Sequence, residues 1–250
     1  MPPTAEEYRP GREATLYVPP DGEELPLVVM VPGGGWRTAD PSGLAGLAAT
    51  LAESGLAALT LEVGAAEDGV TYPTPVEDIL CGVGYGLDLL GRGGYTPGPV
   101  ILLGHSSGAH LASLAASTSM QDLPECDHPA AVADALVGLA GVYDVTRLPA
   151  LAYLLFGALP EETPEAWLEG NPLLRAGDRP EVPVLLLHGQ SDPLVPVSFT
   201  QDYAEALREA GHDTTVELVP GADHTDIYSA SVSGDVIVDW IETMPSIGDG

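Results

Sequence analysis

Short apolar runs rich in Val, Leu and Ile recur along the chain, separated by amphipathic or Ala-rich stretches and punctuated by Gly, Pro and Asp. The runs predict strands over 14–18, 26–31, 56–62, 99–103, 134–139, 182–188 and 214–219. The stretches between them carry the longer period of helices, over 43–54, 74–90, 107–118, 198–210 and 225–242. A continuous apolar run is what a strand needs when both faces of its sheet are covered. Strand and helix in alternation therefore predict an α/β protein with a doubly wound, mostly parallel sheet. At 250 residues, 1–250 reads as a single domain. Residues 144–178 break the alternation with LPALAYLLFGALPEETPEAWLEGNPLL, a Leu-rich and aromatic insertion placed to form a small cap.

Charge narrows the partners. The chain carries 37 acidic residues against 8 basic ones, all of them Arg, for a formal net charge of -29. Such a field repels phosphates, so neither nucleic acid nor an anionic membrane is expected as a partner. Adaptation to high salt and simple genome composition explain the acidity equally well, and oligomeric state is not written in it. Cys81 and Cys126 lie 45 positions apart and are expected as free thiols, since one pair is no disulfide framework for a chain of this size. The N-terminal residues lack the basic start and apolar stretch of a secretory signal, and the expected location is cytoplasmic.

The most specific motif is Gly104-His105-Ser106-Ser107-Gly108, placed directly between a predicted strand and a predicted helix. Gly-x-Ser-x-Gly in that context describes a nucleophile elbow, which exposes the serine at the carboxyl edge of a sheet. A hydroxyl is a weak nucleophile at neutral pH. It needs a base, and the base needs an acid that fixes its tautomer. Asp192 follows the strand run VPVLLLHG, and His224 follows VELVP, so both fall at carboxyl ends of strands and in the order Ser, acid, His. Asp223 and Asp226 flank His224 and compete for the role of acid, but sequence neighbours in a turn point their side chains away. His188 is placed to help hold the Asp192 loop, and His110 sits one helical turn after Ser106 in a packing position. His128 and His212 are expected to be exposed. No spacing suits a metal site, and no metal or cofactor is expected.

A tetrahedral oxyanion also requires donors. Three glycines in LVVMVPGGGW follow an early strand, and the N–H groups of Gly34, Gly35 and Ser107 are the expected oxyanion hole. Trp36, Tyr143, Leu154, Leu155 and Phe156 are the expected apolar pocket walls.

These motifs, with YPTPVEDIL at 72–80, resemble the small-esterase and kynurenine-formamidase-like serine hydrolases of the α/β-hydrolase superfamily, a group that includes feruloyl and acetyl-xylan esterases. The likeness runs over roughly 14–242. It implies an α/β-hydrolase fold and hydrolysis of small-molecule esters through an acyl-enzyme on Ser106. An arylformamidase acting on N-formylkynurenine-like amides is the alternative within the same mechanism. A non-catalytic ligand-binding protein of the same fold is the alternative outside it. One departure stands out. The family usually has His before the paired glycines of this loop, and here Pro32 takes its place. Proline donates no hydrogen bond, so the loop must be held differently.

Overall fold

The structure is a computed structural model that describes residues 5–244. Its eight strands are β1 (Ala5–Arg9), β2 (Arg12–Tyr17), β3 (Glu24–Val31), β4 (Ala57–Leu61), β5 (Thr96–His105), β6 (Ala135–Leu139), β7 (Val184–Gly189) and β8 (Thr214–Val219). They form one sheet in the order β1-β2-β4-β3-β5-β6-β7-β8. β1 and β2 pair antiparallel, as do β2 and β4, and every pair from β4 through β3 to β8 is parallel. The mostly parallel sheet is what the alternation of elements predicts, and its strand order is that of the α/β-hydrolase fold, which the resemblance implies.

Strand periodicity explains how one sheet serves two cores. Side chains alternate across the pleat, so Leu27, Val29 and Val31 of β3 face one layer, while Val28 and Met30 face the other. The first layer is covered by α2 (Thr74–Arg92), α3 (Ser107–Ala116) and α6 (Ser198–Ala210); the second by α1 (Ala45–Glu53) and α7 (Asp235–Thr243). Residues 144–178 hold α4 (Pro149–Phe156) and α5 (Pro164–Glu169), flanked by 3-10 turns at Val145–Arg147 and Pro172–Arg175.

β1 was not legible as a strand because only Tyr8 of its five residues is buried. It is held by its ladder to β2 and by polar side chains instead. Tyr8 donates to Glu62 O at 2.8 Å, and Arg9 donates to Asp78 of α2 at 2.8 Å. Asp78 is buried, which raises its pKa, and it also accepts from Gly64 N at 2.8 Å. The helix expected over 225–242 is three pieces: a 3-10 turn Asp226–Tyr228, a π turn Ala230–Gly234, then α7. Among the described residues, no helix is long and apolar enough to cross a membrane.

Three expectations are corrected here. Cys81 and Cys126 are not free thiols: they are joined in a disulfide, with Cα atoms 5.6 Å apart. Sequence distance concealed this. The segment before β6 folds back across α2, and it can lie close because Gly84 has no side chain, a Cβ there falling 2.3 Å from Pro129 O. Cys81, one turn earlier on α2, then meets Cys126. Closing 45 residues constrains the unfolded chain, a contribution of about 2–4 kcal/mol. Reduction is therefore expected to lower the unfolding free energy measured in urea by that amount; an unchanged value, with both thiols shown free by mass, would contradict the pairing. His212 is not exposed either. It is buried between Val182 O at 2.8 Å and Ala176 O at 2.9 Å, tying the start of β8 to the approach to β7. His128 is half-buried, with its ring edge-on to Tyr85.

Candidate active site

Ser106 sits between β5 and α3 with φ 54° and ψ −120°, a strained conformation for a residue with a side chain. The surroundings leave no room to relax it. A Cβ at Gly104 would fall 2.3 Å from Gly108 O, and one at Gly108 would fall 2.3 Å from Pro32 O. The strand, the helix and the Pro32 loop thus approach at backbone contact, as an elbow requires. Ser106 N donates to Leu139 O of the neighbouring strand at 2.9 Å, which pins the turn. Its Oγ projects at the N-terminus of α3, where unpaired N–H groups favour developing negative charge.

The two other residues arrive on adjacent loops. Gln190 N donates to Val219 O at 2.9 Å and Ser191 N to Ala222 O at 3.0 Å, so the loop after β7 is laced to the loop after β8. That lacing brings Asp192 to His224. Nδ1 of His224 lies 2.6 Å from Asp192 Oδ2, and Nε2 lies 2.9 Å from Ser106 Oγ. A carboxylate accepts only, so Nδ1 carries the proton and Nε2 presents its lone pair to the serine hydroxyl. Ser106, His224 and Asp192 are brought together as the sequence expected.

Asp192 is held ionised although its side chain is fully buried. Burial pushes its pKa up, but hydrogen bonds from Val195 N at 2.9 Å, from His224 and from Leu194 N at 2.8 Å outweigh it, and the pKa lies below the ordinary carboxylate value. His188 supports the same loop: its Nε2 donates to Val195 O at 2.9 Å and lies 3.2 Å from Asp192 Oδ2. Nδ1 of His188 accepts from Thr200 Oγ1 at 2.7 Å, and burial lowers its pKa, keeping the ring neutral. Asp223 and Asp226 are spent elsewhere. Asp223 Oδ1 accepts from the N–H groups of Thr225 and Asp226, and Asp226 Oδ2 from Asp223 N.

Sequence reasoning gave His105 no role, yet it fastens the histidine loop. Its Nε2 donates to His224 O at 2.8 Å, and its ring meets Tyr228 edge-on at 4.5 Å. Burial lowers its pKa to about 4, so it stays a neutral donor. The available signal was its place in the pentapeptide, beside the nucleophile.

A cleft of about 530 Å³ opens over Ser106. Gly34, Gly35 and Ser107 line it, as does Trp36. The glycine turn is closed by Arg37 and Thr38 donating to Gly34 O at 3.1 and 3.4 Å, which leaves the Gly34 and Gly35 N–H groups out of that closure. Tyr143, Leu154, Leu155 and Phe156 are not cleft walls, contrary to expectation. Tyr143 is buried and stacks on Tyr203 of α6 at 4.3 Å, Leu155 is core, Leu154 packs against that core, and Phe156 stacks on Trp167 at 4.4 Å. The apolar walls are Leu44, Val142, Leu148, Leu151, Leu194 and Val195, with Tyr228 beside them. α4 is apolar on all sides, so its sequence cannot say which side meets the cleft. Leu148 and Leu151 face it, while Ala152, Leu155 and Phe156 face the core. Among the described residues, no group of three His, Cys, Asp or Glu could hold a metal ion.

Fold and geometry together define an α/β-hydrolase with a Ser-His-Asp arrangement at the carboxyl edge of its sheet. The chain belongs to the BD-FAE family, whose sequence model matches residues 15–207. It is 26% identical to Esterase LipQ of Mycobacterium tuberculosis, an alignment covering 94% of this chain and 59% of that protein. It is also 26% identical to a probable isoprenylcysteine alpha-carbonyl methylesterase of Oryza sativa subsp. japonica, over 88% of this chain and 56% of the relative. The chain thus spans little more than half the length of these curated relatives. Among solved structures, a truncated carbohydrate esterase from gut microbiota superposes with TM-score 0.79 at 19% identity, covering 92% of this chain and 90% of that one. A thermophilic esterase of Thermogutta terrifontis superposes with TM-score 0.78 at 20% identity, covering 99% and 97%.

Proposed function

We propose that this chain is a serine hydrolase that cleaves carboxylic esters of small, aryl or short-acyl type through an acyl-enzyme. The observation that carries the reading is the unbroken chain of hydrogen bonds from Ser106 Oγ through His224 to Asp192, opening on an apolar cleft. His224 takes the Ser106 proton as Oγ attacks the ester carbonyl, and Asp192 stabilises the imidazolium. The N–H groups of Gly34, Gly35 and Ser107 receive the oxyanion. The tetrahedral intermediate collapses as His224 hands its proton to the departing alcohol. Water, deprotonated by the same His224, then releases the acid from Ser106.

The esterase names of LipQ and of the superposed structures support the ester reading. We treat the chain as one hydrolase domain in which residues 144–178 act as a small cap, since Leu148 and Leu151 wall the cleft from that segment. The partner is a small-molecule ester. A disulfide belongs to an oxidising compartment, and Cys81–Cys126 weighs against the cytoplasmic placement.

A panel of p-nitrophenyl acetate and butyrate, acetylated xylan and N-formylkynurenine tests the reading. Ester turnover is expected to exceed formamide turnover by at least about tenfold in kcat/KM, a difference of roughly 1.4 kcal/mol in the barrier. Faster formamide cleavage would make the arylformamidase reading the better one, and binding without turnover of any member would favour a ligand-binding protein.

A further inference from the structure

Pro32 offers its loop no hydrogen-bonding side chain, and three successive residues after it have positive φ: Gly34 at 147°, Gly35 at 61° and Trp36 at 57°. For Trp36 that conformation is unfavourable, so something must hold it there. Its indole is buried, and Nε1 donates to Nδ1 of His110 at 3.3 Å, with the two rings edge-to-face at 5.1 Å. His110 is one helical turn beyond Ser106 on α3, and its own N–H donates to Ser106 O at 3.2 Å. On its far side, Nε2 of His110 donates to Gly170 O at 2.8 Å. The carbonyl can only accept, so it fixes the proton on Nε2 and leaves the Nδ1 lone pair for the indole. The ring is fully buried, and burial lowers its pKa to about 4, which keeps that tautomer neutral.

We propose that Trp36 and His110 are positioning residues that aim the Gly34 and Gly35 N–H groups at the oxyanion, doing by a relay what Pro32 cannot do by its side chain. The relay runs from the glycine turn through the nucleophile helix to Gly170 in the 144–178 segment. Gly170 is itself wedged, for a Cβ there would lie 2.6 Å from the Phe156 ring. Loop, helix and cap therefore share one buried hydrogen-bonded line, and the oxyanion donors keep a fixed distance from Ser106. The proposal rests on the serine-hydrolase reading above.

The test is kcat and KM of four variants on p-nitrophenyl acetate, each expressed per active site titrated with a phosphonate. Trp36→Phe keeps the ring and removes the N–H. It is expected to lower kcat about tenfold to a hundredfold, the cost of misplacing rather than deleting an oxyanion donor, with KM within about threefold. His110→Leu should lose as much. His110→Gln, which can accept at Oε1 and donate through Nε2, should recover most of that loss. Trp36→Phe combined with His110→Leu should be no worse than His110→Leu alone, because both break one line. A merely structural role would lower the number of titrated sites and leave kcat per site unchanged, and that result overturns the proposal; so do additive losses. Ser106→Ala, which has no serine to titrate and is read per mole of folded protein, separates the two ideas. Activity surviving there overturns the hydrolase reading, whereas its loss alongside an unchanged Trp36→Phe overturns only the relay.

Discussion

Ser106→Ala is expected to lower kcat on short-chain aryl esters by about 10⁶, the loss seen when a serine protease is deprived of its nucleophile. No neighbouring group can substitute. Ser107 is the first residue of α3 and is buried, and His224 Nε2 is directed at Ser106 Oγ. Stability should barely change. Among the described residues, the only side-chain hydrogen bond Ser106 makes is with His224, and alanine bears the same positive φ with no greater penalty. Thermal midpoint and circular dichroism should therefore match wild type while activity disappears. Activity within about tenfold of wild type would remove Ser106 from the mechanism.

Asp192→Asn is expected to cost about 10³–10⁴ in kcat, for a reason of tautomers rather than of charge alone. The asparagine Oδ1 can keep the hydrogen bonds from Leu194 N and Val195 N, so the loop has no cause to unfold. Its amide N–H then faces His224 Nδ1, which must give up its proton and become an acceptor. The proton moves to Nε2, where it points at Ser106 Oγ and blocks general-base catalysis. The same amide also meets the Nε2 proton of His188, where wild type has a carboxylate oxygen at 3.2 Å. Asp223→Asn and Asp226→Asn should each stay within about tenfold of wild type, since both carboxylates cap their own turn. If one of these were the crippled enzyme and Asp192→Asn remained active, the assignment of the acid would fail while Ser106 and His224 stood.

Much of this site was legible because its chemistry is tied to the ends of strands, β5 and β7 being buried apolar runs and β8 a half-buried one. β5, β7 and β8 announce themselves, and Ser106, Asp192 and His224 follow each of them within a few residues. The elbow was legible because close backbone approach demands Gly104 and Gly108, and only glycine meets the demand. What failed to show was whatever depends on packing between distant segments. β1 is anchored by Tyr8 and Arg9 rather than by an apolar run. The Cys81–Cys126 pair depends on how a loop crosses α2. The cleft walls were misjudged because composition marks α4 as apolar without giving its rotation. Leu148 and Leu151 turned toward Ser106, and Phe156 toward Trp167. His212 looked like a loop residue by its neighbours, yet two carbonyls claim its ring.

The central claim is that Ser106 Oγ is the group that takes the acyl chain. Labelling the intact protein with an aryl fluorophosphonate, then locating the adduct by peptide mass spectrometry, tests it whatever the natural substrate is. One adduct per chain is predicted, on Ser106, with labelling abolished in Ser106→Ala and slowed in Asp192→Asn. A folded wild-type protein that takes no label, or takes it on another residue, would contradict the account.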